Sequence, residues 1–174
     1  ACPDFTRLPD VGDQALTDTL ADWLGPFLSG VTSAAGLKRV DLDAAVKALF
    51  TWDQLKMVDR HAPTHIRVPS GSTIPIRYAD KNGPLASPVL AVRIQEVFGM
   101  AAGPVIAAGQ VPLTLHLLSP ASRPVQITTD LAHFWAHTYL EVKKDLMGRY
   151  PKHYWPRNPH TAQATARAKP QKPK

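Results

Sequence analysis

Apolar residues recur at helical spacing through the first sixty residues of the chain. Three such stripes are preceded by residues of the kinds that cap helix N-termini: Asp13 for the first, Asp41 for the second, and either Thr51 or Asp53 for the third. Pro26 and Gly30 interrupt or end the first stripe, because neither residue favours a continuing helix. The pattern therefore predicts three helices before residue 62.

The periodicity changes after residue 62, where apolar and polar residues alternate. Residues 64–69 and 74–79 alternate around Ser70-Gly71-Ser72, which supplies turn chemistry. This arrangement predicts a β-hairpin. Residues 80–87 contain Asn82-Gly83-Pro84 and predict a loop, because these residue types are typical of turns.

The later apolar segments predict one helix that crosses the sheet, three strands and a long final helix. The crossing helix begins at Pro88, a residue suited to the first helical turn, and carries apolar residues to Phe98. The final amphipathic helix is capped by Thr129 or Asp130 and runs to about Met147. The three strands are expected at residues 105–108, 111–118 and 124–128.

The order of these elements is typical of an α+β fold rather than an alternating β-α-β fold. We expect N-terminal helices, a mixed or antiparallel sheet of about five strands, one crossing helix and a long C-terminal helix. Large apolar side chains on separate elements are expected to include most of the core: Trp23, Leu49, Val92, Leu115, Leu117, Phe134 and Trp135.

Composition divides the chain into three regions. With 174 residues, 44% of them apolar and 20% charged, it is long enough for one globular domain. Residues 1–12 read as a lead-in, and residues 13–156 hold the predicted elements. Residues 157–174 contain no large apolar residue, so the sequence predicts a disordered basic tail.

The net charge of +6 comes from the end of the chain. From Arg149 onward there are seven basic residues and no acidic one, whereas the first 148 residues carry 13 basic and 14 acidic groups. The basic balance therefore does not indicate a basic face on the predicted domain.

Several classes of protein are disfavoured by what the sequence lacks. Cys2 is the single cysteine, which excludes an internal disulfide framework and suits a reducing cytoplasm. No apolar run approaches the roughly 18–20 residues that cross a bilayer, so we expect no membrane association. His133 and His137 have the spacing of helical zinc ligands but lack a third ligand nearby, so we expect no metal site. No serine has the context of a catalytic nucleophile, so catalysis by this chain is not expected.

A run of basic and aromatic residues follows the predicted final helix. Arginine and lysine supply donors for phosphates, and tyrosine and tryptophan supply faces on which bases stack. The same aromatic residues could instead fold back on the sheet as a structural clasp, and both roles are compatible. The candidate nucleic-acid-binding residues are Arg149, Lys152, His153, Tyr154, Trp155 and Arg157, with a second basic surface at Arg67, Arg77 and Arg93.

Four blocks of sequence carry a resemblance to a known family. They are residues 62–72, 88–99, 109–128 and 148–156, the last reading Gly-Arg-Tyr-Pro-Lys-His-Tyr-Trp-Pro. In this order they resemble the C-terminal domain of the HrpB family of bacterial DEAH-box ATP-dependent RNA helicases. The resemblance covers roughly residues 15–157.

The resemblance implies an accessory domain of a larger motor protein. The chain has no G-x-x-x-x-G-K-[ST] loop and no Asp-Glu-Ala-His box, so it should hold no cofactor of its own, with ATP and Mg²⁺ bound by motor domains. Its start at Ala1 without a methionine fits a C-terminal fragment. The expected partners are motor domains in the same polypeptide and RNA or another single-stranded nucleic acid. The alternative is a protein-protein interaction module without a direct nucleic-acid role.

Overall fold

A computed structural model describes residues 7–170 and divides the chain into two compact units, Ala1–His61 and Ala62–Lys174. The sequence predicted a single domain over residues 13–156, so the division falls inside that range. Pro63 is the second residue after the division point. A proline disfavours the helical conformation of the residue before it, which ends the last N-terminal helix.

The N-terminal unit consists of short helices. Asp41 caps one of them by accepting a hydrogen bond from the Ala44 N–H at 2.9 Å. Thr51 and Gln54 form a reciprocal capping box, since each side chain accepts from the other residue's N–H. The sequence predicted the cap at Asp41 and gave Thr51 as one of two candidates, with Asp53, for the start of the later helix. The helices are α1 (Asp13–Asp18), α2 (Leu20–Leu24), α3 (Ala34–Leu37), α4 (Leu42–Lys47) and α5 (Trp52–His61), with a 3₁₀ turn at Gly25–Leu28.

The first predicted helix is broken into α1 and α2 at Thr19. The indole N–H of Trp23 donates to the carbonyl of Leu16 at 2.9 Å, a contact seven residues back along the chain. Gly12 stands at the N-cap, so the prediction that Asp13 caps this helix was wrong. Asp13 is the first helical residue, where its charge still favours the helix dipole.

The C-terminal unit is built on a mixed five-stranded sheet of order β1-β2-β3-β6-β7. Strands β3 and β6 are parallel, and the other neighbours are antiparallel. A separate ribbon pairs β4 with β5. The α+β class and the sheet of about five strands are as predicted. The strands are β1 (His65–Arg67), β2 (Thr73–Asp80), β3 (Gly83–Arg93), β4 (Val105–Ile106), β5 (Val111–Pro112), β6 (Thr114–Leu118) and β7 (Pro124–Thr128).

The strands at the two edges of this sheet, β1 and β7, differ in length and in composition. At one edge, β1 has only three residues and pairs with β2 across the predicted hairpin turn, where Gly71 takes a φ of 87°. At the other edge, β7 begins at Pro124, and the Gln126 side-chain amide donates to the Ile127 carbonyl at 3.2 Å.

The predicted crossing helix from Pro88 to Phe98 was wrong. Residues 89–92 lie within β3, where Leu90 pairs with Ile76 on one side and Leu115 on the other. A short apolar run buried between two strands has no distinctive period, so its pattern also fits a helix. Pro88 is tolerated because it lies at an irregularity in the β2–β3 register and before the first β3–β6 pair.

The loop predicted at residues 80–87 was also wrong beyond its first residues. Asp80 pairs directly with Gly83, whose φ is 114°, so a two-residue turn joins β2 to β3. The parallel step from β3 to β6 then uses a 3₁₀ turn (Ile94–Glu96) and the β4–β5 ribbon rather than a helix.

The long final helix begins where the sequence predicted. Asp130 caps it by accepting from the His133 N–H at 2.9 Å. Three segments follow one another as one helix: α6 (Leu131–His133), a π-helical segment (Phe134–Thr138) and α7 (Tyr139–Arg149).

One face of the sheet and this helix enclose the core. The Trp135 ring lies 5.0 Å from Phe134, 5.3 Å from Tyr139 and 5.9 Å from Phe98, measured between ring centroids. Five of the seven predicted core residues are buried here: Val92, Leu115, Leu117, Phe134 and Trp135. Trp23 and Leu49 belong to the N-terminal unit and are only half-buried.

The predicted disorder from residue 157 is contradicted for residues 157–170, while 171–174 lie outside the described residues. Pro159 accepts from the Gly99 N–H at 2.8 Å, and Thr165 donates to the Gln95 carbonyl at 2.9 Å. Ala162 is 8% exposed and belongs to the core cluster. Backbone hydrogen bonds need no large apolar side chain, so composition alone did not indicate this docking.

Candidate nucleic-acid interface

The aromatic residues after α7 form a clasp on the core. The Trp155 indole N–H donates to the Tyr150 carbonyl at 3.0 Å, and the Tyr154 ring meets Phe98 edge-on at 6.2 Å. Tyr150, Tyr154 and Trp155 are all half-buried. The sequence left open whether these aromatic residues pack as a structural clasp or stack on bases. In the structure, the three rings pack against the domain.

Polar contacts hold the end of the clasp against the final helix. The Pro156 carbonyl accepts from the Tyr139 hydroxyl at 3.0 Å and from Lys143 Nζ at 2.9 Å. Burial, followed by the neighbouring Tyr154, raises the pKa of Tyr139 well above its ordinary value, so its hydroxyl stays protonated and able to donate.

The basic residues of the same segment face outward. Arg149, Lys152 and Arg157 are exposed, while His153 is half-buried with its ring edge-on to Tyr150 at 5.8 Å. Residues 149–153 line a mostly apolar hollow of about 230 Å³. The clasp thus presents cations around an apolar surface.

The second predicted basic surface is divided by the structure. Arg67 and Arg77 are exposed on β1 and β2, whereas Arg93 at the end of β3 pairs with Glu96, Nε to Oε1, at 2.7 Å. The Glu96 side chain is 2% exposed, so Arg93 neutralises a buried carboxylate. The Arg93 guanidinium is therefore already ion-paired within the domain, unlike the exposed Arg67 and Arg77.

Arg77 lies across the outer face of the sheet from His116. Its Nη2 is 3.4 Å from His116 Nδ1. Burial, and then the positive charge of Arg77, lower the pKa of His116 below its ordinary value.

Replacing Arg77 with glutamine should raise the pKa of His116, because one of the two causes of its depression is removed. The shift should be only partial, since burial remains. NMR titration of the His116 ring protons measures this, with Lys81→Gln on the neighbouring exposed turn as the control. An unchanged His116 pKa in Arg77→Gln would show that the two groups do not interact.

A polar cleft that the sequence did not indicate lies beside the hairpin turn. Ser70 forms one side of it, and Gln163, Ala164, Thr165, Ala166 and Arg167 form the other, around a volume of about 200 Å³. The only sequence signal was that Arg167 belonged to the basic tail. Its position depends on docking that composition did not predict.

The described residues, 7–170, include neither a metal-binding cluster nor a membrane-spanning helix. They contain no group of three or more His, Cys, Asp or Glu side chains placed to hold a metal, although the rings of His133 and His137 lie 4.5 Å apart. Within the same part of the chain, every helix is too short or too polar to cross a membrane.

Comparisons with known proteins agree on one family. The family model described as ATP-dependent helicase C-terminal, HrpB_C, matches residues 23–159. The ATP-dependent RNA helicase HrpB of Escherichia coli K12 is 48% identical over 161 residues, which make up 92% of this chain and 19% of that protein. The match lies in the C-terminal part of the relative.

Two crystal structures of the E. coli protein share the fold. One, of the DExH-box NTPase HrpB, matches with a TM-score of 0.82 over 91% of this chain and 19% of that chain. The other, of the DEAH/RHA helicase HrpB, matches with a TM-score of 0.66 over 84% and 18%. Both are 48% identical to this chain, which spans about a fifth of their length. The chain therefore belongs to the HrpB family of ATP-dependent helicase C-terminal domains.

Proposed function

We propose that this chain serves as the accessory C-terminal domain of a cytoplasmic ATP-dependent RNA helicase. The 48% identity across 92% of the chain carries this proposal. Motor domains in the same polypeptide bind ATP and Mg²⁺ and drive RNA remodelling. The accessory domain holds no cofactor and contributes to the RNA path.

The RNA contact lies on the outward side of the aromatic clasp. Arg149, Lys152 and Arg157 are exposed there, and arginine and lysine are matched to phosphate oxygens. The rings beneath them fix the backbone of the segment, so only the side chains of these cations have to be ordered when RNA binds. The apolar hollow at residues 149–153 offers a surface on which one base can rest.

The distribution of charge along the chain also favours an RNA contact in the segment that begins at Arg149. The sequence up to residue 148 has one more acidic than basic residue, whereas the sequence from Arg149 has only basic ones. Binding by such a segment is electrostatic and tolerant of base sequence. Arg67 and Arg77 are the next exposed candidates.

The test compares RNA affinity across a salt series. Replacing Arg149, Lys152 and Arg157 together with glutamine should make the log–log salt slope on single-stranded RNA shallower by about 2, from roughly 0.7 per phosphate contact. The matched control removes three exposed cations elsewhere, at Lys38, Arg39 and Lys81. Circular dichroism checks that both variants fold.

A slope change equal to that of the control would place the RNA contact elsewhere on the domain. No measurable binding by the unmodified chain at low salt would instead favour the protein-interaction role.

A further inference from the structure

The turn between β1 and β2 is tied to a buried carboxylate. The Ser70 N–H donates to the Glu96 carbonyl at 3.3 Å, and the Ser70 hydroxyl donates to Glu96 Oε2 at 3.0 Å. Ser70 Oγ also lies 3.1 Å from Ser72 Oγ. Because a carboxylate is the stronger acceptor, it takes the single Ser70 hydroxyl proton, and the Ser72 hydroxyl then donates to Ser70 Oγ across the 3.1 Å contact.

Two arginines lie beside this turn, and neither forms an ion pair with another residue among the described ones. The Arg67 Nη2 lies 3.9 Å from where a Cβ on Gly71 would be, so the guanidinium rests against the turn. Arg167 lines the cleft that Ser70 also lines. Among residues 7–170, the ion pairs seen are Lys47 with Asp43 and Arg93 with Glu96, so no carboxylate neutralises Arg67 or Arg167.

The nearby negative charge is already balanced. Glu96 is 1% exposed and bonded to Arg93 at 2.7 Å, so it offers little repulsion to an anion at the turn. The cleft of about 200 Å³ has room for a phosphate group. One guanidinium group without an ion pair, that of Arg167, belongs to a residue of the cleft, and a second, that of Arg67, lies against the adjoining turn. Arginines of this kind beside a polar cleft are typical of phosphate recognition.

We propose that the Ser70-Gly71-Ser72 turn, Arg67 and the docked residues 163–167 form a phosphate-binding site that holds a phosphodiester of a single-stranded nucleic acid. The choice of nucleic acid as the ligand rests on the proposed function. The site is separate from the cations at Arg149, Lys152 and Arg157.

The site is complete only while the C-terminal segment is docked. Arg167 is held there because its carbonyl accepts from Gln95 Nε2 at 3.1 Å and its N–H donates to Thr165 Oγ1 at 3.0 Å. The Ala168 carbonyl accepts from the Tyr154 N–H at 2.8 Å. A ligand that bridges Arg67 and Arg167 therefore stabilises the docked segment, because it binds that state and not the released one.

The first measurement is the salt dependence of binding to a fluorescent single-stranded RNA oligonucleotide. Replacing Arg67 and Arg167 with glutamine should make the log–log slope shallower by about 1.4, from roughly 0.7 per phosphate contact. The control, Lys81→Gln with Lys169→Gln, removes the same charge from exposed positions, one of them in the same segment. Equal slopes in the two double variants would overturn the proposal.

The second measurement is hydrogen exchange at the Thr165 and Arg167 amides. The oligonucleotide should slow exchange there in the unmodified chain and in the control, but not in the Arg67/Arg167 variant. Inorganic phosphate at the same phosphate concentration should protect these amides less. Equal protection would overturn the assignment of the site to nucleic acid.

The same exchange measurement separates this proposal from the proposed RNA contact after α7. In the variant at Arg149, Lys152 and Arg157, oligonucleotide protection of Thr165 should persist at low salt. Loss of that protection with intact folding would show that the cleft has no affinity of its own and overturn this proposal alone.

Discussion

Replacing Trp135 with alanine should destabilise the C-terminal unit by about 3–5 kcal/mol, as expected when a large aromatic side chain leaves a packed core. Trp135 is 4% exposed and contacts three aromatic rings. Its indole N–H also donates to the Met100 carbonyl at 2.8 Å, and the substitution leaves that acceptor without its partner. Urea denaturation followed by circular dichroism measures the loss.

Leu140→Ala is the matched control for this change. Leu140 lies on the same helix five residues later and is 64% exposed, so its truncation should cost less than about 0.5 kcal/mol. A loss under roughly 1 kcal/mol for Trp135→Ala would contradict the described packing of the final helix on the sheet.

Removing residues 158–174 should lower the free energy of unfolding by about 2–4 kcal/mol. Four hydrogen bonds link this segment to Gly99, Tyr154 and Gln95, and each contributes about 0.5–1.5 kcal/mol net. The truncation keeps Pro156, whose carbonyl is bonded to Tyr139 and Lys143. Denaturant unfolding of the truncated and full chains provides the measurement.

Two point substitutions within the segment refine the deletion test. Thr165 is 6% exposed and its hydroxyl oxygen accepts from the Arg167 N–H, so Thr165→Ala should cost about 1–2 kcal/mol. Gln163 is exposed, and Gln163→Ala should change stability by less than about 0.5 kcal/mol. A deletion without effect would restore the expectation of an undocked tail.

Local signals accounted for much of the fold. The sequence predicted the hairpin around Gly71, strand β7 and the helix starts at Asp41 and Asp130. Turns and helix caps can be predicted in this way because they depend on the types of a few neighbouring residues. These features need no knowledge of distant contacts.

What the sequence did not predict depends on distant contacts. Strand β3 is a strand because β2 and β6 flank it, and the docking of residues 157–170 depends on backbone groups at Gln95 and Gly99. The candidate sites also divide into features set by neighbouring residues, which were predicted, and features set by distant contacts, which were not. The basic run after α7 was found from composition, whereas the pairing of Arg93 with buried Glu96 and the placement of Arg167 beside Ser70 required the fold.

The unequal edges of the five-stranded sheet bear on self-association. An exposed strand edge is a template on which another chain can add a strand, the first step of aggregation. Here β1 offers only three residues, and β7 starts with a proline that cannot donate a backbone hydrogen bond. The Gln126 side-chain amide also donates to the Ile127 carbonyl within this strand. Both edge strands of the sheet therefore disfavour the addition of a further strand and, with it, fibril-like growth.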